Sequence, residues 1–262
     1  MEERVVVITG ASSGIGAVLA ELVGKNGARP VLVARREKEL QEVASRCGPK
    51  ARVHVADVTA RADVARVVER TLAKEGHIDV WVNNAGRGIT RMVSALTDED
   101  VDEMFLVNVK SVLYGMQAVL PHFRERGRGH IINVSSMLGR LPLAPFRSAY
   151  SAAKHAMNAL TANLRMELRA AHPGIHVSAV HPGVVATEFG LNSRHGGMDS
   201  RNLPMAQPAE EVAQILWDVM EHPRADAYTR PGAREMVAGY YGAEDMGDAE
   251  TKPPFSMFSP PR

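Results

Sequence analysis

The chain has 262 residues, 45% hydrophobic and 23% charged, the balance of an ordinary globular protein long enough to bury its own core. Its 31 Lys and Arg against 30 Asp and Glu leave a net charge of +1, without the strong positive field of a dedicated nucleic-acid binder. One cysteine, Cys47, excludes an intrachain disulfide framework and a multi-cysteine metal site, and no uninterrupted apolar run reaches the ~18 residues of a membrane span.

A strand-like, β-branched run over residues 5–9, beginning at Arg4 or Val5, follows directly on Met1-Glu2-Glu3. That leaves no room for a signal peptide, so a cytoplasmic location is expected. Residues 14–24 read as helix, 31–34 as strand, 37–46 as helix, 52–56 as strand and 63–74 as helix. Further strands are expected at 78–82, 131–134 and 175–180, with long helices at 98–123 and 148–169. Strands that are apolar throughout and separated by helices predict a parallel sheet covered on both faces, a doubly wound, Rossmann-like, three-layer α/β/α fold. One domain is expected over residues 1–241. Within it, residues 187–208, rich in glycine and basic residues, read as a mobile substrate loop. Residues 242–262 form a Pro-rich tail that either hangs loose or docks through Phe255, Met257 and Phe258.

Val5-Val6-Val7-Ile8-Thr9-Gly10-Ala11-Ser12-Ser13-Gly14-Ile15-Gly16 is a strand, a glycine turn and a helix start. Glycines there let backbone approach a pyrophosphate, toward which the following helix aims its free N–H groups. Tyr150 and Lys154 lie four apart in a helical stretch, on one face. An ammonium about 4 Å from the phenol, at an effective dielectric near 20, would favour the phenolate by about 4 kcal/mol at most, roughly 3 pKa units. Such a phenol can donate a proton to a carbonyl or accept one from an alcohol. Ten histidines show no metal-ligand spacing, and no metal is proposed.

The sequence resembles the short-chain dehydrogenase/reductase family in its compact, single-domain form. Thr9-Gly10-Ala11-Ser12-Ser13-Gly14-Ile15-Gly16 matches that family's opening motif. Asp57-Val58, Asn83-Asn84-Ala85-Gly86, Asn108, Ser135-Ser136, Tyr150-x3-Lys154 and Pro182-Gly183 with Thr187 follow in the family's order, over about residues 4–190. The resemblance implies hydride transfer between a nicotinamide cofactor and a carbonyl or secondary alcohol. Tyr150 is then the general acid/base and Lys154 holds the ribose. Ser136, three before Gly139, binds the substrate oxygen, and the Asn108 carbonyl holds a water leading protons to Lys154; Ser135 caps or packs. Gly10, Ser12, Ser13, Gly14, Ile15 and Gly16 would hold the pyrophosphate. By the same resemblance Asp57 and Val58 contact adenine, and Asn84 and Ala85 line the adenosine ribose, with Asn83 tying strands together. The Val185 backbone and Thr187 bind the carboxamide.

NAD-dependent relatives usually place an acid at the end of the second strand. Here Ala34 stands there and Arg35 follows, which points to NADP(H), since a guanidinium binds a 2′-phosphate through charge-assisted hydrogen bonds. Ser13 stands where some NADP-dependent relatives carry a second basic residue; Arg35 and Arg36 can also be read as solvated residues at a helix start. Two other readings stand beside an NADP(H)-dependent carbonyl reductase. One is a 3-oxoacyl-carrier-protein-type reductase, with Arg140, Arg147, Arg194 and Arg201 at the mouth meeting an anionic carrier. The other is a non-catalytic NADP-binding or structural protein, disfavoured by the presence of Asn108, Ser136, Tyr150 and Lys154 together. The expected partners are a small-molecule carbonyl or alcohol and further copies of the chain, in a homodimer or homotetramer. Apolar residues spread over more than one face of the helices at 98–123 and 148–169, including Leu113 and Leu164, suggest the interface.

Overall fold

In the computed structural model, which describes residues 3–258, strand β1 (Val5–Thr9) is buried along its whole length. Its side chains alternate between two cores. Val6 and Ile8 enter one and Val5 and Val7 the other. Strand β2 (Arg29–Ala34) repeats the division, Leu32 and Ala34 against Val31 and Val33. This two-sided burial is why these strands are apolar throughout. Strands β3 (Arg52–Val55), β4 (Val80–Asn83), β5 (Gly129–Val134), β6 (Ile175–His181) and β7 (Asp226–Tyr228) complete a seven-stranded parallel sheet in the order β3-β2-β1-β4-β5-β6-β7.

Helices α1 (Gly14–Lys25), α2 (Glu37–Arg46) and α7 (Ala209–Glu221) cover the first core through Leu19, Val23, Leu40, Val212 and Leu216. Helices α3 (Arg61–Glu75), α5 (Ser111–Arg126) and α6 (Ser148–Leu168) cover the second through Val67, Met116, Phe123 and Met157. The sheet is thus the middle of three layers, as expected. The region read as one helix from 98 to 123 is α4 (Asp98–Phe105), a π-helical turn over Leu106–Lys110, then α5. By length and composition Asp98–Arg126 is apolar enough to cross a membrane, but half of its most apolar window is buried inside the protein against the sheet.

Chain order reverses between β1 and β4, which opens a crevice at their carboxyl ends. Asn83 and Asn84 end β4 there and divide the work. Asn83 accepts from Trp81 Nε1 at 2.7 Å and donates to Asn133 Oδ1 at 2.8 Å, tying β4 to β5. Asn84 Nδ2 reaches back to the Thr9 carbonyl at 2.9 Å and holds the end of β1.

Helices α8 (Ala233–Tyr241) and α9 (Met246–Glu250) follow the sheet. The Pro-rich tail folds back on its own chain. Phe255 is buried with Met137, Leu141, Ala233 and Tyr240, and its ring stacks on Tyr240 at 5.0 Å. Met257 stays exposed, and Ser259, Pro260, Pro261 and Arg262 lie outside the described residues.

Candidate active site

At the end of β1 the chain turns at Gly10, whose φ of 67° suits glycine. A Cβ on Gly10 would stand 2.8 Å from Ala85 Cα, and one on Gly16 2.5 Å from the Gly10 carbonyl oxygen. The loop therefore packs backbone on backbone. Ser13 makes no side-chain cap on α1, which leaves the helix's first N–H groups and its positive dipole end to an anion. Gly14, at φ 57°, faces the turn after β6, its Cβ position 3.3 Å from Thr187 Cγ2. The residues read as a pyrophosphate cradle and as a carboxamide clamp thus meet, and the shape fits a dinucleotide.

Beside this loop stand two arginines. Arg35 is 74% exposed, with Nη1 4.0 Å from Asp57 Oδ2, a contact too solvated to contribute much stability. Arg36 lies differently. Its Nη2 donates to Ser12 Oγ at 3.0 Å and Ser13 Oγ at 2.8 Å. A second cation therefore does border the phosphate loop, supplied from the start of α2 rather than from position 13. Asp57 Oδ1 accepts from the Thr59 amide and hydroxyl, and Val58 packs against the second core.

The other motif residues come together at the carboxyl ends of β4 and β5. Tyr150 and Lys154, both buried, sit on one face of α6 with Nζ 5.6 Å from the ring centroid. Nζ donates to the Val134 carbonyl at 2.9 Å. Burial pushes the Tyr150 phenol up to about 12, against the opposing pull of the Ser136 hydroxyl and the Arg147 guanidinium. Burial likewise brings Lys154 down to about 8. The expectation that the Lys154 ammonium brings the phenol close to neutrality is not met within the chain, where desolvation of the phenol outweighs the groups that favour its ionised form.

Ser136 Oγ accepts from the Leu138 amide at 3.1 Å and so caps the turn over Met137–Gly139, while the buried Ser135 hydroxyl has no partner among the described residues. Ser135, expected to cap or pack, is buried, and the cap on this turn is made by Ser136. Asn108 lies inside the π-helical turn. Its Oδ1 accepts from the Arg87 amide at 3.2 Å, and its Nδ2 donates to the Arg87 and Met104 carbonyls at 3.0 Å. A Cβ on Gly86 would lie 3.0 Å from Asn108 Oδ1 and 3.7 Å from Lys154 Nζ, so the loop after β4 bridges the two. The widened turn is what gives Asn108 two carbonyls and an amide to hold.

The turn after β6 is held from β7. Asp226 Oδ1 pairs with His181 Nε2 at 2.8 Å and with Arg140. Burial raises its carboxyl pKa, but the His181 hydrogen bond and the Arg140 charge outweigh that and hold it at about 2. The resulting stability is present above the ordinary carboxylate pKa near 4 and is lost as pH falls through about 2. Asp226→Asn is expected to cost about 2 kcal/mol at pH 7 and to flatten the pH dependence of stability between pH 4 and 2, as read by chemical denaturation across that range.

Val185 is buried where its segment bridges to Gln207, and Thr187 Oγ1 accepts from the Phe189 amide. Phe189 brings the loop over residues 187–208 against the site, its ring 5.6 Å from that of Tyr150. The loop is fastened to α4. Asp100, fully buried, pairs with Arg91, Arg194 and His195, and Arg194 also reaches Glu103. The four arginines read as a carrier-binding mouth are thus mostly committed elsewhere. Arg194 is spent on Asp100 and Glu103, Arg201 on Asp199 and Glu188, and Arg140 on Asp226. Only Arg147 of the four has no ion pair among the described residues.

A cavity of about 700 Å³ opens at the opposite, amino edge of the sheet, lined by Arg4, Asp79, Arg126 and His130 among others. Asp79 and Arg126 are engaged with each other there, and Asp79 also accepts from the Val5 amide, so the motif residues remain the better candidate.

Residues 4–196 match the short chain dehydrogenase family. The chain belongs to it. A Staphylococcus epidermidis relative, an uncharacterized oxidoreductase, is 38% identical over 216 residues, 82% of this chain and 92% of its own length. Among solved structures, a serine dehydrogenase complexed with NADP+ is 29% identical, with a TM-score of 0.79 over 86% of this chain and 94% of its own. A 3-ketoacyl-(acyl-carrier-protein) reductase from Brucella melitensis complexed with NADH is 30% identical, with a TM-score of 0.78 over 87% and 96%. This short-chain dehydrogenase is therefore an oxidoreductase with a fold that binds a nicotinamide dinucleotide.

In this short-chain dehydrogenase, Arg36 as a phosphate-loop neighbour, Asp100 as the anchor of the loop over residues 187–208 and Asp226 as the brace of the turn after β6 lie outside the sequence motifs. An arginine directly after Arg35 was a usable signal. Nothing in the sequence pairs Asp100 with residues 94 and 95 positions away.

Proposed function

We propose that the protein is an NADP(H)-dependent carbonyl reductase or alcohol dehydrogenase, with Asn108, Ser136, Tyr150 and Lys154 as its catalytic residues. The observation that carries this reading is the buried pairing of Tyr150 with Lys154 on one face of α6, beside Gly86 and the glycine loop. Gly10, Ser12, Ser13, Gly14, Ile15 and Gly16 would hold the pyrophosphate. Asp57, Val58, Asn84 and Ala85 take the adenosine side, and Val185 with Thr187 takes the carboxamide. When bound, the nicotinamide supplies or accepts the hydride. Tyr150 gives its phenolic proton to the substrate oxygen, a role suited to a group that stays protonated at neutral pH. Ser136 donates a hydrogen bond to that oxygen as charge develops on it. Lys154, mostly charged at neutral pH, anchors the ribose and feeds protons back toward Tyr150, with Asn108 holding the loop beside it.

Arg35 and Arg36 favour the phosphorylated cofactor, and a cytoplasmic location belongs to this reading. The carrier-protein alternative loses the support of Arg140, Arg194 and Arg201, which pair with the chain's own carboxylates. Oxidation of NADPH against a panel of carbonyl compounds, with an acyl-carrier thioester included, tests the reading. Turnover of small carbonyls supports it. Turnover of the thioester alone favours the carrier alternative, and binding without any turnover favours a non-catalytic protein.

Assembly into a homodimer or homotetramer through the α4–α5 segment and α6 is part of the proposal. Leu113, Leu160 and Leu164 are only partly buried within one chain. Light scattering at micromolar concentration is expected to give two or four times 28.4 kDa, and a monomer would refute it.

A further inference from the structure

Arg147 ends the loop that leads into α6, three residues before Tyr150. Its Nη1 donates to the Ile89 carbonyl at 3.2 Å and to Ser193 Oγ at 2.8 Å, one from the loop after β4 and one from the substrate loop. Both bonds use the same nitrogen. No acceptor among the described residues takes a hydrogen bond from Nε or Nη2, and neither atom is sealed from solvent without a partner. The guanidinium is thus half-buried and held at one corner through Nη1, with Gly197 against Nη2, its Cβ position 3.3 Å away, and it keeps donors at Nε and Nη2 that no group of the described residues takes. Such unspent donors on a half-buried cation suit an anion such as a carboxylate.

Three observations put the guanidinium beside the candidate site. Gly88 lies against its Nη1 corner, with its Cβ position 3.1 Å from Arg147 Nη1 and 3.0 Å from Phe189 Cε1. Phe189 in turn contacts the Tyr150 ring. The charge of Arg147 is felt at the Tyr150 phenol, and burial weighs against that charge, a cost an anion would relieve. The other three arginines near the mouth are neutralised by carboxylates of the chain itself; this one is not.

We infer that Arg147 is the substrate-recognising cation of the site, and that the substrate is an oxo acid or hydroxy acid whose carboxylate takes the guanidinium's remaining donors. The inference rests on the hydride-transfer reading above. In the reduction, the oxo acid gains a hydride from NADPH at its carbonyl carbon and a proton from Tyr150 at its oxygen, leaving a hydroxy acid and NADP+. Arg147 takes no part in either transfer.

The test compares oxo acids with their methyl esters, which keep the reacting carbonyl and lose the charge. For the unmodified protein kcat/KM is expected to be about ten-fold or more higher for an acid than for its ester, the size of a charge-assisted contact. Arg147→Gln should abolish that preference by lowering the acid's kcat/KM while the ester's changes only a few-fold. Arg147→Lys should retain part of it. Equal turnover of acid and ester by the unmodified protein overturns the inference and leaves hydride transfer standing, as does turnover confined to uncharged ketones. An equal loss of both substrates in Arg147→Gln, with a lowered Tm, assigns Arg147 to holding the loops and also overturns it. Should Arg147→Gln fail to fold, the acid-to-ester ratio of the unmodified protein decides. Absence of turnover with every carbonyl would remove the hydride-transfer reading and this inference together.

Discussion

Tyr150→Phe is expected to lower kcat by about 10² to 10⁴-fold while the Kd for NADPH changes by less than about three-fold. The substitution removes one oxygen from a buried ring and leaves the packing against Phe189, Ala149 and Ala153 in place. It leaves Lys154 bonded to the Val134 carbonyl. What it takes away is the proton donor. With its pKa pushed up by burial, the phenol arrives protonated across the neutral range, so its loss should appear in kcat rather than in cofactor affinity. Lys154→Ala should differ by weakening NADPH binding as well, because Lys154 is assigned both the ribose and the phenol. Stopped-flow turnover and a fluorescence titration of NADPH on the same samples separate the two effects. Near-normal turnover by Tyr150→Phe would contradict the assignment.

Replacing both Arg35 and Arg36 by alanine is expected to weaken NADPH binding by about a hundred-fold and NADH binding by no more than a few-fold. Each guanidinium offers a charge-assisted contact worth about 1.5–3 kcal/mol, or roughly ten-fold and upward apiece. The two should not act alike. Arg35 is free in solvent apart from its distant contact with Asp57, so its alanine variant loses only the phosphate contact. Arg36 rests on Ser12 and Ser13, so its removal also releases two hydroxyls of the phosphate loop, and a small loss for NADH is expected there. Isothermal titration with each cofactor reads the difference. Equal affinity of the unmodified protein for NADPH and NADH would show that the arginines do not select the cofactor.

Six of the seven strands were legible in the sequence, the central ones because a strand buried on both faces is apolar along its length, as in Val5–Thr9, and the half-exposed β3 through its alternating valines. Strand β7 was not. It is three residues, Asp226–Tyr228, and two of them are polar because they brace His181 rather than fill a core. The π-helical turn was equally silent, since Leu106–Lys110 contains no glycine or proline. It is stabilised by Asn108 reaching Arg87, a contact between elements. Local motifs such as Gly10–Gly16 and Tyr150 with Lys154 carry their own spacing and could be read directly. The roles of Asp100, Arg147 and Arg194 depend on how residues 187–208 fold back, which no local pattern encodes. The same folding back explains why loop arginines that read as a carrier surface turned out to pair with the chain's own acids.

The central claim, that Tyr150 protonates a carbonyl while hydride is delivered from a cofactor held by the glycine loop, is tested most directly by isotope transfer. NADPH deuterated at the transferable position of the nicotinamide ring would be incubated with a turned-over carbonyl compound, and the alcohol product examined by mass spectrometry. The account predicts one deuterium at the carbinol carbon of the product from the unmodified protein, and product formation slowed by at least about a hundred-fold in Tyr150→Phe. Product without deuterium, or deuterated product formed equally fast by Tyr150→Phe, would contradict it.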